Sequence, residues 1–237
     1  MVRYEEATDI GLVRELNEDS LLCRPPGDFV VADGMGGHAA GEIASRIFTD
    51  IADKYLSEYK EISTENDMQE LFQAGNYGIL TSIEKHPERF GMGTTATMLH
   101  VAGSKAMWAH VGDSRLYLLR RSSLQQITSD HTYVNTLLAM GSITPQEAEN
   151  HPDRNKLLRA VGAEETLQVD TGSFQLEQGD IMLLCSDGLT NMVTEPAIQT
   201  VLEAKQCKNR AEALVECAKA AGGKDNISII VVEYYEE

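Results

Sequence analysis

The sequence predicts an α+β fold: a four-layer α-β-β-α sandwich with two central antiparallel sheets flanked by helix pairs. Strand-like and helix-like segments come in blocks rather than in alternation. Four strand-like segments between residues 94 and 128 also follow one another too closely for helical crossovers, which favours antiparallel pairing. Since 42% of the 237 residues are hydrophobic and no linker or repeat divides the chain, we expect one domain over residues 1–237.

The N-terminal part of the chain predicts three strands followed by two helices. Three short apolar segments lie within residues 1–33, and Pro25–Asp28 is typical of a turn before the third. From Gly41 to Tyr59 apolar residues recur every three or four positions, which predicts an amphipathic helix. A second helix is predicted from about Asp67 to Lys85.

The C-terminal part predicts further strands around an irregular insert at residues 130–160. Within the insert, Thr144, Pro145 and Glu147 are typical of a helix N-terminus with a capping box. Strands are predicted over residues 167–174, 180–187 and 226–234, with a helix over 209–221. Because the insert has few long apolar runs, we expect it to be a mobile flap that tunes access to a site.

The charge balance excludes some classes of partner. With 37 acidic and 20 basic residues, the formal charge is -17, which disfavours nonspecific binding to nucleic acid or to a membrane. No apolar run approaches the ~20 residues that span a bilayer, and the charged first twenty residues leave no room for a signal peptide. Four cysteines without C-x-x-C spacing predict a reduced chain in the cytoplasm.

The most informative pattern is that aspartates stand beside glycine at the ends of predicted strands. In chain order they are Asp33-Gly34, Gly112-Asp113, Asp187-Gly188 and Asp225 within GGKD. Each such pair alone is better explained as a turn. Four acids gathered together, however, would repel by about 4 kcal/mol per pair at ~4 Å and a dielectric near 20, and divalent cations would offset this repulsion. Oxygen ligands without a Cys/His cluster favour Mg²⁺ or Mn²⁺.

Six motifs in a fixed order carry a resemblance to a known family. They are GLVRELNEDS, VADGMGGHAAGE, GMGTTAT, HVGDSRLY, LLCSDGLT and GGKDNISIIVV. Together they resemble the metal-dependent Ser/Thr protein phosphatases, the type 2C or PPM family, in its bacterial single-domain form. The resemblance extends from about Tyr4 to Val232 and implies the same sandwich fold, with a single catalytic domain over residues 1–237.

The resemblance also implies a set of metal ligands. Asp33 would bridge two Mn²⁺ or Mg²⁺ ions and the carbonyl of Gly34 would bind one of them. Asp187 and Asp225 would complete the coordination of the other ion. Asp113 would help to hold a third, more weakly bound ion beneath the insert.

Further residues would support these ligands and the substrate. Four would act from behind the ligands: Glu18, Asp19, Asn226 and Thr94. Arg14 would bind the substrate phosphate, for which a planar guanidinium is well suited. Asn155 in the insert is a candidate partner for Asp113 at the third ion.

The implied activity is the hydrolysis of phosphoserine and phosphothreonine in proteins, opposing a bacterial Ser/Thr kinase. A hydroxide bridging two ions would attack phosphorus, because metals lower the pKa of bound water from ~15.7 to about 7. The alternative is a catalytically silent domain that binds phosphoproteins or metal. The joint presence of Asp33, Asp187, Asp225 and Arg14 disfavours this alternative, since degenerate members commonly lose one of them.

One departure from the family pattern concerns proton donation to the leaving group. Eukaryotic members typically have a histidine directly after the metal-binding Asp-Gly, where this chain has Met35, whose thioether cannot donate a proton. His38 or a metal-bound water could substitute, and the general acid is left unassigned. A nucleotide site at the glycines of residues 34–41 matches no phosphate-binding motif, and no cysteine has the arginine spacing of a thiol phosphatase.

Overall fold

The structure is a computed structural model that describes residues 1–36, 40–58 and 62–235, with the backbone alone at Glu149. Within these ranges the strands form two antiparallel sheets. Sheet 1 contains, in spatial order, β1 (Val2–Asp9), β11 (Ile227–Tyr234), β10 (Ile181–Cys185), β7 (Arg115–Arg120) and β8 (Ser123–Gln126). Sheet 2 contains β2 (Asp19–Arg24), β3 (Asp28–Met35), β5 (Ala96–Ala102), β6 (Lys105–Val111) and β9 (Asp170–Gln175), and the short β4 (Gly93–Thr94) pairs with β3.

The helices lie in three groups along the chain. They are α1 (Gly41–Glu58), α2 (Glu65–Lys85) and a 3₁₀ helix (Pro87–Arg89); α3 (Tyr133–Ala139) and α4 (Pro145–Glu149); and α5 (Asp187–Thr190), α6 (Glu195–Glu203) and α7 (Arg210–Ala220). No helix of the described residues is long and apolar enough to cross a membrane.

Three apolar layers hold the sandwich together, and strand alternation explains them. In β3, Val30 faces the helix pair α1–α2, whereas Phe29 and Val31 face sheet 1. In β10, Leu183 packs towards α6 and α7, whereas Leu184 faces sheet 2. Because successive side chains of a strand point to opposite faces, each sheet contributes to two cores. The predicted four-layer α+β sandwich is confirmed.

The α1–α2 pair covers sheet 2 through large buried side chains. Phe48 and Phe72 pack edge to face with ring centroids 5.0 Å apart, and full burial of such a side chain contributes about 2 kcal/mol. Helix α2 begins at Glu65, two residues before the predicted start. The reason is a capping box in which Thr64 Oγ1 accepts the Asp67 N–H at 3.2 Å and Asp67 accepts the Thr64 N–H at 2.8 Å.

Helix α6 is the longest element that the sequence did not predict. It covers nine residues, of which only Ile198 and Leu202 are buried, so its apolar repeat is too short to stand out. Pro196 in its first turn was the available local indication. Helix α6 packs with α7 on sheet 1 and completes the outer helix layer.

The insert at residues 130–160 begins and ends at one place beside β6. The His131 N–H donates to the Gly112 carbonyl at 2.7 Å, and the Leu158 N–H donates to the His131 carbonyl at 2.8 Å. Within the insert, the predicted capping box of Thr144 and Glu147 is present at the start of α4. Both ends of the insert are therefore tied next to Asp113.

Candidate active site

The end of β3 places Asp33 within a group of carboxylates. The Asp33 N–H donates to Thr95 Oγ1 at 3.0 Å, and the Asp33 carbonyl accepts from the Thr95 N–H at 2.8 Å and the Thr94 hydroxyl at 2.9 Å. Burial raises the pKa of the Asp33 carboxyl well above its usual range, and repulsion from neighbouring aspartates raises it further. These neighbours are Asp19, Asp187, Asp113 and Asp225.

Asp19 lies directly opposite Asp33 in the β2–β3 ladder. Its Oδ2 accepts a hydrogen bond from Ser186 Oγ at 2.8 Å, whereas its Oδ1 is buried without a hydrogen-bond partner. Burial, together with repulsion from Asp187 and Asp225, raises the pKa of Asp19 to about 7. A buried carboxylate oxygen without a donor costs free energy, and a nearby cation would offset that cost.

Asp187 and Asp113 approach the same place from the ends of β10 and β6. Asn191 Nδ2 donates to Asp187 Oδ2 at 2.9 Å, while burial and repulsion from Asp225 raise the pKa of Asp187 to about 6. Burial and repulsion from Asp187 and Asp130 raise the pKa of Asp113 to about 8. The predicted aspartates from separate strand ends are thus brought together.

Arg14 is the cation at the edge of this group. Its Nη2 donates to Asp225 Oδ2 at 2.8 Å, and its Nη1 lies 3.8 Å from Glu18 Oε2. The hydrogen bond with Asp225 is the main reason why the pKa of Arg14 is raised. Since 47% of the Arg14 side chain is exposed, the guanidinium can still bind an anion from solvent.

Asn226 holds the loop that carries Arg14. Its Oδ1 accepts the Glu18 N–H at 2.8 Å, and its Nδ2 donates to the carbonyls of Ile10 and Leu16, each at 3.0 Å. The sequence placed Asn226 and Glu18 behind the metal ligands. In the structure, the three side-chain hydrogen bonds of Asn226 fix the backbone of this loop. The Glu18 carboxyl is a separate matter, and burial raises its pKa.

Gly34 lies where the start of α1 and the β1–β2 loop meet β3. Its N–H donates to the Glu18 carbonyl at 3.0 Å, and a β-carbon at Gly34 would overlap the carbonyl groups of Glu18 and Gly41. Glu42, which sequence reasoning missed, has a buried Oε2 without a partner and helps to raise the pKa of Glu18. In Gly41-Glu42 an acidic residue stands next to glycine, as in Asp33-Gly34. The same sequence pattern could therefore have identified Glu42 as a site residue.

A cleft of about 500 Å³ lies between the insert and the carboxylates. Its lining includes Asp113, Asp187 and Asn155, so the cleft joins the predicted third-ion residues. Arg115 and Asp130 also line it and form an ion pair at 2.6 Å that the sequence did not predict. The cleft offers space for a substrate beside the aspartates.

The position of the usual histidine is filled by Met35 at the end of β3. The Met35 methyl group packs near Gly93, where a β-carbon would lie 3.1 Å from it. His38 lies outside the described residues. Among the described histidines, His100 pairs with Asp28 at 2.7 Å and His131 with Asp170 at 3.1 Å, so both already have carboxylate partners.

The donor chemistry of this site fits hard divalent cations. Within the part of the chain that the structure describes, no three His, Cys, Asp or Glu side chains are grouped as ligands of one ion. Mg²⁺ usually keeps several waters and takes only one or two carboxylates, so it does not need such a group. Oxygen donors that raise each other's pKa, with the unpartnered Asp19 Oδ1 among them, suit a water-rich cation site.

The chain is similar to known bacterial proteins over almost its full length. It is 39% identical to the serine/threonine phosphatase stp of Listeria monocytogenes over 97% of this chain and 94% of that protein. It is also 39% identical to the serine/threonine protein phosphatase PstP of Mycobacterium tuberculosis over 98% of this chain. The chain spans only about half the length of that protein, 45%.

A solved structure and a family profile give the same result. The catalytic domain of PstP in complex with two manganese ions superposes with a TM-score of 0.91 at 36% identity, covering 99% of each chain. The sequence profile described as protein phosphatase 2C matches residues 14–223, which include every aspartate of the site except Asp225. With the strand-end aspartates and the four-layer sandwich, these matches show that the chain belongs to the protein phosphatase 2C family.

Proposed function

We propose that the chain hydrolyses phosphoserine and phosphothreonine in proteins with the help of bound Mn²⁺ or Mg²⁺. The observation that carries the proposal is the convergence of half-buried aspartates from the ends of β2, β3, β6 and β10, with Arg14 half-exposed at their edge. The similar proteins named above, which are Ser/Thr phosphatases, support the same activity.

The proposed ligand set is the one that the family resemblance implies. Four other aspartates raise the pKa of Asp33, which supports Asp33 as the residue that would bridge two ions, with the Gly34 carbonyl beside it. Repulsion from Asp225 helps to raise the pKa of Asp187, and these two residues would hold the second ion. Asp113, which lines the insert cleft together with Asn155, would hold a third and weaker ion.

The chain's own residues would bind and orient the phosphate. When bound, the metal ions would supply a nucleophile at neutral pH and would offset charge on the phosphoryl oxygens. Arg14 would contact two phosphate oxygens through its guanidinium, held in place by Asp225 and by the loop that Asn226 anchors. Thr94 fixes the Asp33 backbone, and Ser186 fixes the orientation of Asp19.

The cellular setting is proposed from the similar bacterial proteins. The substrates would be phosphoproteins made by a bacterial Ser/Thr kinase in the cytoplasm, and the chain would reverse that phosphorylation. The manganese in the PstP structure supports Mn²⁺ as the first ion to test, with Mg²⁺ as the second. The insert would act as a flap over the cleft that contains Asn155.

The test is phosphate release from a phosphothreonine peptide with Mn²⁺, with Mg²⁺ and with excess EDTA. We expect turnover with Mn²⁺, none in EDTA, and a loss of about 10³-fold or more in Asp33→Ala. Full activity in EDTA would rule out the metal-dependent reaction. No turnover with any metal, combined with retained binding of the phosphopeptide, would favour the silent phosphoprotein-binding domain instead.

A further inference from the structure

Exposed apolar side chains are concentrated in the loop between β1 and β2. Leu12 and Val13 are 63% and 66% exposed, and Ile10 and Leu16 are 37% and 43% exposed. In the described part of the chain, these four are among eleven exposed large apolar residues, yet they fall within seven consecutive positions. We call residues 10–16 the apolar loop. Such a concentration on a soluble surface marks a contact site more often than a chance arrangement.

The backbone of the apolar loop is held at several points, so its side chains are presented from a fixed frame. The Leu12 N–H donates to the Gly223 carbonyl at 2.7 Å, and the Gly11 N–H donates to Asp9 Oδ1 at 2.8 Å. Asn226 binds the carbonyls at both ends of the loop. Gly11 has a φ of +80° and lies so close to the Asp225 carbonyl that a β-carbon would overlap it. The exposure of the apolar side chains is therefore a feature of an ordered loop.

Arg14 lies in the middle of the apolar loop, which connects this surface to the proposed phosphate site. An extended polypeptide advances about 3.3 Å per residue, so residues one or two positions from a phosphorylated residue lie within about 7 Å of it. Leu12, Val13 and Leu16 are themselves within two positions of Arg14. A peptide with its phosphate at Arg14 would therefore bring its flanking side chains to the apolar loop.

We infer that the apolar loop selects protein substrates with a bulky apolar residue within two positions of the phosphorylated serine or threonine. This inference rests on the proposed function and specifies its substrate class. Flanking Leu, Ile, Val, Met or Phe would cover Leu12 and Val13 and remove apolar surface from water. Acidic flanks would be disfavoured, because the chain carries a net charge of -17.

The test uses pairs of phosphothreonine peptides, and the two peptides of a pair differ only by leucine or serine at one flanking position. The pairs together cover the two positions on each side of the phosphothreonine. We expect kcat/KM to be about tenfold higher for leucine at one or more positions, which corresponds to 1.4 kcal/mol. In Leu12→Ser/Val13→Ser this ratio should fall to about one, while the Leu12 N–H keeps its hydrogen bond to the Gly223 carbonyl. Leu12→Met/Val13→Ile should retain the preference.

A matched control and a small substrate separate the possible outcomes. Tyr77→Ser, at a residue 74% exposed on α2, should keep the leucine preference. A small aryl phosphate has no flanking residues to contact the apolar loop. Its kcat/KM should therefore be unchanged in Leu12→Ser/Val13→Ser.

Three results would overturn the inference. Turnover of both peptides with equal kcat/KM at every position would contradict it while leaving the proposed function intact. Another such result is a parent chain that sediments as a dimer and becomes monomeric in Leu12→Ser/Val13→Ser, with no change in peptide preference. That result would show that the apolar loop contacts a second copy of the chain. Absence of turnover of every phosphate ester would overturn the proposed function and this inference with it.

Discussion

Strands β3 and β10 each have an aspartate at both ends, and the two ends differ in what surrounds the carboxylate. At one end, Asp28 lies 2.7 Å from His100 Nδ1, and Asp180 accepts hydrogen bonds from Arg120 at 2.9 and 2.6 Å. At the other end, Asp33 and Asp187 are half-buried among further aspartates, which raise the pKa of Asp33. The same two strands thus carry a neutralised end and an acidic end.

The comparison shows that the partners of the carboxylate oxygens distinguish a structural aspartate from a functional one. Asp180 is only 1% exposed, but both of its oxygens are satisfied, by Arg120 and by the Glu177 N–H at 2.8 Å. Asp19 at the acidic end is only half-buried, yet its Oδ1 is buried and has no partner. A buried carboxylate that lacks a cation in the fold points to a cation from outside.

The largest expected effect comes from removing the central charge of the acidic end. Asp33→Asn should lower kcat by about 10³-fold, because the proposed bridging ligand and its charge are lost. The same change should raise the free energy of unfolding in EDTA by about 1 kcal/mol, because it removes repulsion among half-buried carboxylates. Kinetics and urea unfolding would measure both effects. A substitution that destabilised the metal-free chain would contradict the account of this end.

The matching substitution at the neutralised end should do the opposite. Asp180→Asn should lower the free energy of unfolding by about 2 kcal/mol, because Arg120 loses the charge that it pairs with. The kcat of the folded protein should stay within twofold of the parent. Urea unfolding and phosphate release would check this, and a loss of activity as large as that of Asp33→Asn would remove the distinction between the two ends.

Arg14 is the cation that the acidic end does possess, so its replacement tests the phosphate contact. Arg14→Ala should lower kcat/KM for a phosphopeptide by about 100-fold, mostly through a higher KM, and Arg14→Lys should recover part of the loss. Steady-state kinetics would separate KM from kcat. An unchanged KM would place the phosphate elsewhere.

The metal-free chain should also become less stable as the pH rises from 6.5 to 8. The folded pKa values of Asp19 and Asp113, about 7 and about 8, lie above those of unfolded aspartate. Between pH 6.5 and 8 the folded state therefore binds more protons than the unfolded state does. The stability that protonation provides is therefore lost as the pH rises through these values, by about 2 kcal/mol in total. Below pH 6.5, His110 acts in the opposite direction, because burial lowers its pKa to about 3.

Urea unfolding at several pH values in EDTA and in Mn²⁺ would measure this dependence. We expect the downward slope in EDTA and a much smaller slope with Mn²⁺, which would neutralise the ionised carboxylates. A flat profile in EDTA would show that the acidic end is not strained by its own charge.

The smallest expected effect concerns the insert, which lies over the acidic end and not over the neutralised one. Thr144→Ala removes the capping box of α4 and should destabilise this short helix by about 1 kcal/mol. We expect a two- to threefold change in kcat/KM for peptides and no change for a small aryl phosphate. Equal changes for both substrates would count against a flap that controls access for peptides.

The sequence predicted the fold where the apolar segments were long enough to recognise. The helix over 41–58 has a repeating apolar face and β3 has four consecutive buried residues, whereas α6, with two buried residues, was too short for its period to appear. The aspartates at strand ends were also predictable, since each follows or precedes an apolar strand beside glycine.

Contacts between distant segments could not be predicted from local pattern. The Arg14–Asp225 hydrogen bond joins residues 211 positions apart, and the three bonds of Asn226 to the apolar loop depend on how β11 meets the β1–β2 loop. Local pattern also could not predict that Asp180 pairs with Arg120 and Asp28 with His100. The sequence therefore did not indicate which aspartates the fold neutralises. The single domain and the roles of the individual site residues stay predictions.

The most direct test of the central claim is calorimetric titration of Mn²⁺ into the metal-free chain and two variants. The acidic end should bind two ions per chain in the parent and in Asp180→Asn. Asp33→Asn should lose binding at one or both of these sites while remaining folded by circular dichroism. Unchanged Mn²⁺ binding in Asp33→Asn, or its loss in Asp180→Asn, would contradict the assignment of the metal site to the acidic end.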